Sequence, residues 1–175
     1  MRLLLTGYRF DTIGGLEIVS ANIARILAEQ GHEVRCAAVH GRADFQRDGY
    51  AVVGLMPQSR LWRAIAARSP AFYPKGRLRR LAAWADAIIA CHCHTLPLLW
   101  RATSGAGRRP PVVAWLHGHE VWGRFGAEYA ESLRQCDRLV AVSQYTSDTV
   151  ARLLGPEHRP LVVHNSIDTE FFHPA

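Results

Sequence analysis

Histidines gather at the ends of apolar runs in this chain. His92 and His94 close the run from Ala87 to Cys93, His117 and His119 follow Val112 to Leu116, and His164 follows Leu161 to Val163. A neutral imidazole both donates and accepts hydrogen bonds, so such positions suit a hydroxyl-rich ligand. The segment Cys91-His92-Cys93-His94 admits a metal site as an alternative, because residues two apart on a strand share a face. One extended run cannot aim four ligands at a single ion, however, and no C-x-x-C partner exists elsewhere. The preferred reading is a strand end whose histidines look into a cleft, with no metal. His117-Gly118-His119-Glu120 is the better-placed grip for a ligand, the alternative being a capped strand end with a solvated histidine.

A second kind of chemistry is suggested by Gly14 and Gly15, with Glu17 close behind. They open a helical pattern, where free backbone N–H groups and the dipole favour an anion. Glycine also lets a ligand approach the backbone; a plain tight turn is the alternative. Neither G-x-G-x-x-G nor a P-loop is present. Val39-His40-Gly41-Arg42 lacks the acidic residue that nicotinamide-binding domains place after their second strand, which counts against a dehydrogenase. Ser143 is a natural helix N-cap. Asn165 belongs to a non-helical segment beyond the last apolar run.

The elements that must position these residues alternate along the chain. Strands are expected at 2–6, 33–39, 50–55, 87–93, 112–117, 139–142 and 161–163. Helices are expected at 16–30, 60–68, 75–85, 95–103, 126–136 and 144–154, and the segments near 41–49 and 69–76 read as loops. The strands are continuous apolar runs, so both faces must be covered, as in a parallel sheet under helices. Alternating strands and helices then specify an α/β, doubly wound, Rossmann-like parallel sheet of about seven strands. Ligands bind such sheets outside the carboxyl ends of the strands.

The chain has 175 residues, 49% of them apolar, which fits one domain. No run approaches the roughly 18 apolar residues of a membrane span. The apolar start at Leu3 is too short for a secretory signal, so a cytoplasmic location is expected. Cys36, Cys91, Cys93 and Cys136 read as reduced thiols packed in the core. The net charge is +6, and no Asp or Glu occurs from Gly49 to Ala85, which holds Arg60, Arg63, Arg68, Lys75, Arg77, Arg79 and Arg80. Such a stretch can meet an anionic membrane surface, an acidic ligand or nucleic acid. No recognition motif supports nucleic acid.

Taken in order, several segments resemble the N-terminal domain of the family 4 glycosyltransferases, which have the two-domain GT-B architecture. They are Gly14-Gly15-Leu16-Glu17, Glu29-Gln30-Gly31-His32-Glu33-Val34, His92-Cys93-His94, Val113 through Glu120, Cys136 through Ser143, and Val163 through Pro174. The resemblance implies that Gly14, Gly15 and Glu17 lie in the loop facing the donor diphosphate and the acceptor. It implies that His117 contacts the transferred sugar, with Glu120 near it as the second catalytic candidate. His92, His94, His119, Ser143 and Asn165 are then expected to line the cleft. Residues 1–163 would be the acceptor-side domain and 164–175 the start of a hinge, with Ser166 where the family usually has glycine. The nucleotide-sugar domain, with its basic pair and Glu-x7-Glu motif, is not in this sequence.

The whole enzyme is therefore expected to be a retaining transferase of the hexosyltransferase type. It would move sugar from a nucleotide sugar to a glycan or lipid-linked acceptor in polysaccharide biosynthesis, without metal or other cofactor. This half alone is expected to be inactive. Arg63, Arg77, Arg79 and Arg80 are the candidates for contact with the inner face of the cell membrane. The alternative is a stand-alone module that binds a glycan or partner without catalysis.

Overall fold

The structure, a computed structural model, describes residues 1–11, 14–41, 44–56, 75–107, 109–123 and 126–166. Eight strands form one sheet: β1 (Arg2–Gly7), β2 (Glu33–Ala38), β3 (Phe45–Arg47), β4 (Tyr50–Gly54), β5 (Ala87–Ala90), β6 (Val112–Leu116), β7 (Arg138–Ala141) and β8 (Leu161–Val162). Their order is β3-β4-β2-β1-β5-β6-β7-β8. Every pairing is parallel except β3 with β4. The helices are α1 (Gly15–Glu29), α2 (Lys75–Trp84), α3 (Leu96–Thr103), α4 (His119–Trp122), α5 (Ala127–Arg134) and α6 (Gln144–Leu154). The expected helix over 60–68 lies outside the described residues.

The side-chain alternation of β1 divides the core. Leu4 packs into one cluster with Leu78 and Leu81 of α2, Leu96 and Leu99 of α3, Leu133 of α5 and Val150 of α6. Leu3 and Leu5 point to the other face, where Ile23, Leu27 and Ala28 of α1 meet Val34 and Cys36 of β2. Among the described helices, α1 alone packs into this second cluster. Burial on both faces is why β1 reads Leu-Leu-Leu without alternation. Cys36, Cys91 and Cys93 are buried free thiols, each held protonated because burial pushes the thiol up.

Two local differences from the sequence reading have clear causes. Residues 45–47, expected in a loop, form the antiparallel edge strand β3. Asp48 (φ 45°) and Gly49 (φ 82°) both take positive φ between Arg47 and Tyr50, the two-residue turn that matches hairpin twist. The fourth expected strand ends at Ala90 rather than Cys93, because Cys93–Thr95 winds into a 3-10 turn leading into α3. The strand order reverses between β1 and β5: β1 leads outward to β2, and β5 leads the other way to β6. The crevice at such a reversal is where open α/β sheets hold ligands.

Candidate functional site

Tyr8 leaves the end of β1 and His92 the end of β5, and their rings stack in this crevice with centroids 4.1 Å apart. The turn that shortens β5 brings His94 back beside them, its ring 4.8 Å from that of His92. His92 and His94 therefore come together through a turn rather than by sharing a strand face. The His94 backbone N–H donates to His92 Nδ1 (3.3 Å), so the neutral His92 ring carries its proton on Nε2. His94 Nδ1 and the Tyr8 hydroxyl share a 3.0 Å hydrogen bond. Tyr129 of α5 packs its ring 4.5 Å from His94, and His40, just past β2, lies 5.0 Å from Tyr8. Among the described residues, no three His, Cys, Asp or Glu side chains are grouped as metal ligands would be.

Burial keeps these imidazoles neutral. His92 is pushed down from its ordinary 6.5 to about 3, first by desolvation and then by His94, His117, His119 and His40 around it. His94, His117 and His40 are shifted down for the same first reason. Glu120 pulls the other way on His94 and His117. A neutral imidazole cluster presents both acceptors and donors and pays little to lose water, which suits uncharged hydroxyl groups.

His117 ends the fifth expected strand, one residue past β6. Its Nε2 lies 3.1 Å from the Cys91 carbonyl, which can only accept, so Nε2 carries the proton and Nδ1 is the acceptor of the neutral ring. The backbone turns at once through Gly118 (φ 112°) into the single turn α4. That turn carries Glu120 back under the strand end, where Oε1 accepts the His117 backbone N–H at 3.0 Å. Glu120 is 8% exposed, and its Oε2 is buried without a hydrogen-bond partner. The geometry makes Glu120 a residue that fixes the position of His117 rather than one open to a substrate. Its charge is felt by His94, His117 and Cys93, so it also biases the protonation of the cluster.

Gly14 is the N-cap of α1, with no side chain capping the first turn. A Cβ on Gly14 would come 2.3 Å from a Glu17 carboxylate oxygen, whereas one on Gly15 would meet nothing within 4 Å. Glu17 thus folds over the helix N-terminus, where its charge is favourable. An anion arriving there has to displace that carboxylate.

The remaining expected residues divide. Ser143 caps α6, its hydroxyl accepting the Thr146 N–H at 3.2 Å. His119 is exposed beside the cluster and acts on His92 and His94 through its charge. Asn165 is not in the cluster: it lines a groove of about 310 Å³ beside α1, with Ile23, Ile26, Trp115 and Val163. Arg77 is not a free surface cation either, because its guanidinium binds the Gly54 carbonyl and the Asp44 carboxylate, tying α2 to the end of β4. Arg79 and Arg80 are exposed on α2, and Arg63 lies outside the described residues, as does most of the expected hinge. Tyr8, His40 and Tyr129 belong to the site although the sequence reading passed over them. Tyr8 and His40 were detectable as residues directly beyond strand ends; Tyr129 was not, since α5 brings it in from the side.

Residues 13–171 match the model of Glycosyltransferase Family 4. No curated protein matches the sequence. Among solved structures, Anabaena Alr3699/HepE in complex with UDP-glucose is 18% identical over 100% of this chain, with a TM-score of 0.65. The apo form of the lipopolysaccharide outer core galactosyltransferase WaaB is 15% identical over 95% of the chain (TM-score 0.62). An alpha-glucosyltransferase bound to UDP and a 13-mer DNA is 16% identical over 94% (TM-score 0.59). The chain spans 46%, 46% and 41% of the lengths of these three chains. The match over nearly its whole length and the shared sheet show that the chain belongs to glycosyltransferase family 4, with the fold of a GT-B amino-terminal domain.

Proposed function

We propose that this chain is the acceptor-side half of a glycosyltransferase that moves a sugar from a nucleotide sugar to a glycan or lipid-linked acceptor. The observation that carries the reading is the neutral Tyr8–His92–His94–His117 cluster in the β1/β5 crevice, in a chain whose family transfers sugars. In this reading the Nδ1 acceptor of His117 holds a hydroxyl of the transferred sugar. The N-terminus of α1, once Glu17 swings aside, faces the charge that develops on the leaving diphosphate. HepE has been crystallised with UDP-glucose, which supports a uridine-linked hexose as the first donor to try. We further read the reaction as retaining and cofactor-free, the isolated half as inactive, and the acceptor as a polysaccharide precursor handled at the cytoplasmic face of the membrane.

The test is transfer by the full-length protein with a panel of UDP-, GDP- and ADP-sugars, reading release of the nucleoside diphosphate. Release is expected with one donor, and His117→Ala is expected to lower it by about 10²-fold or more, the scale of losing one placed polar group at a reacting centre. No release from any nucleotide sugar sinks the catalytic reading and leaves a module that only binds.

A further inference from the structure

Beside the histidine cluster stands a pair of aromatic rings that the folded chain does not cover. Trp122 closes α4 and Tyr145 opens α6, and they are 51% and 61% exposed. Their rings meet edge to face, with centroids 5.5 Å apart and planes at 74°. The indole is not a loose surface side chain. It lies across Gly118, where a Cβ would come 2.3 Å from Cζ2, so this backbone position admits no side chain. Its N–H donates to Thr146 Oγ1 at 3.3 Å, and that hydroxyl is held by Ser143 Oγ at 3.0 Å. The polar edge of the indole is thereby used up inside the protein, and what it offers outward is ring. Half-exposed aromatics held this firmly mark binding surfaces rather than packing left over from folding.

From this geometry we infer that Trp122 and Tyr145 form a stacking platform for a pyranose ring of the acceptor. The inference rests on the transferase reading and adds a subsite to it. The C–H face of a pyranose carries partial positive charge and complements the negative face of an aromatic ring. The indole lies across Gly118, the residue that follows His117, so a ring stacked on it lies close to the place assigned to the transferred sugar. His119, on the same turn as Trp122, is exposed and can donate to or accept from the pyranose hydroxyls. A cation cage is the poorer fit, because an edge-to-face pair presents no two facing rings between which a cation could sit.

The experiment is saturation-transfer NMR on the full-length protein, with methyl glycosides and short oligosaccharides of glucose, galactose, mannose and N-acetylglucosamine as probes. One of these sugars is expected to receive saturation mainly at its ring C–H protons. Tyr145→Ala, a change at a surface side chain, is expected to weaken that binding about tenfold, which corresponds to about 1.4 kcal/mol of stacking. Trp122→Phe should retain most of the binding that Trp122→Ala loses. Saturation of none of the sugars, or equal binding by Tyr145→Ala, overturns the platform and leaves the two rings to a protein surface. Nucleoside diphosphate release from a nucleotide sugar by the same protein, with no saccharide probe added, tests the transferase reading on its own. The platform can therefore fail while the enzyme stands.

Discussion

At the scale of single residues, the site works by withholding charge. His92 is buried, stacked on Tyr8 and surrounded by other imidazoles, so protonating it costs more in the folded chain than in the unfolded one. Its pKa falls from 6.5 to about 3, so between these values the unfolded state binds more protons and stability is lost as pH falls. The expected slope is up to about 1.4 kcal/mol per pH unit for each such histidine, and His94, His117 and His40 add to it in the same direction. Asp11, Asp86 and Asp148, held below their ordinary 3.8 by Arg9, Arg2 and Arg159, act only near and below that value. Urea midpoints followed from pH 6.5 to 5 therefore isolate the histidines. His92→Gln is expected to flatten the dependence, and an unchanged slope would mean that His92 is accessible to protons. Glu120 is the structural partner of this cluster: one carboxylate oxygen accepts the His117 backbone N–H and the other is buried beneath the strand end.

At the scale of elements, the turn after β6 carries most of the design. Strand, glycine and a single helical turn follow within seven residues, and that turn aims His117, buries Glu120 and lays Trp122 over the backbone. Gly118→Ala should destabilise the fold by about 3 kcal/mol, since it forces a side chain into positive φ and against the indole. Gly15→Ala is the control: open space surrounds it, and its effect should stay within about 0.5 kcal/mol. Urea unfolding of the two variants decides this, with a midpoint shift at constant m for the first. A Gly118→Ala midpoint equal to wild type would show that the turn can relax and that the indole is not pinned.

At the scale of the whole molecule, one sheet sorts its duties by side and by end. Helices α2 to α6 pack with the larger core cluster on one face, α1 lies on the other, and the polar chemistry sits at the carboxyl ends. The basic stretch remains a membrane proposal: Arg77 is committed to Asp44 and Gly54, Arg79 and Arg80 are exposed, and Arg63 lies outside the described residues. If it holds, the full protein should sediment with anionic vesicles at low salt, and Arg79→Gln/Arg80→Gln should reduce the bound fraction. Equal sedimentation of wild type and double variant would remove α2 from any membrane contact. The alternation of strand and helix, the unbroken apolar runs and the N-cap at Ser143 were legible in order, because hydrophobic period and capping are local properties. So was the Asp48-Gly49 turn that makes β3, a local signal present but passed over. Other features depend on which strands become neighbours. Only the pairing of β1 with β5 puts Tyr8 on His92, and only the packing of α5 delivers Tyr129 to His94. By itself the sequence determined which residues stand at strand ends. The tertiary structure alone decided which of those ends share a crevice, because side chains 84 residues apart meet only through the order of the sheet.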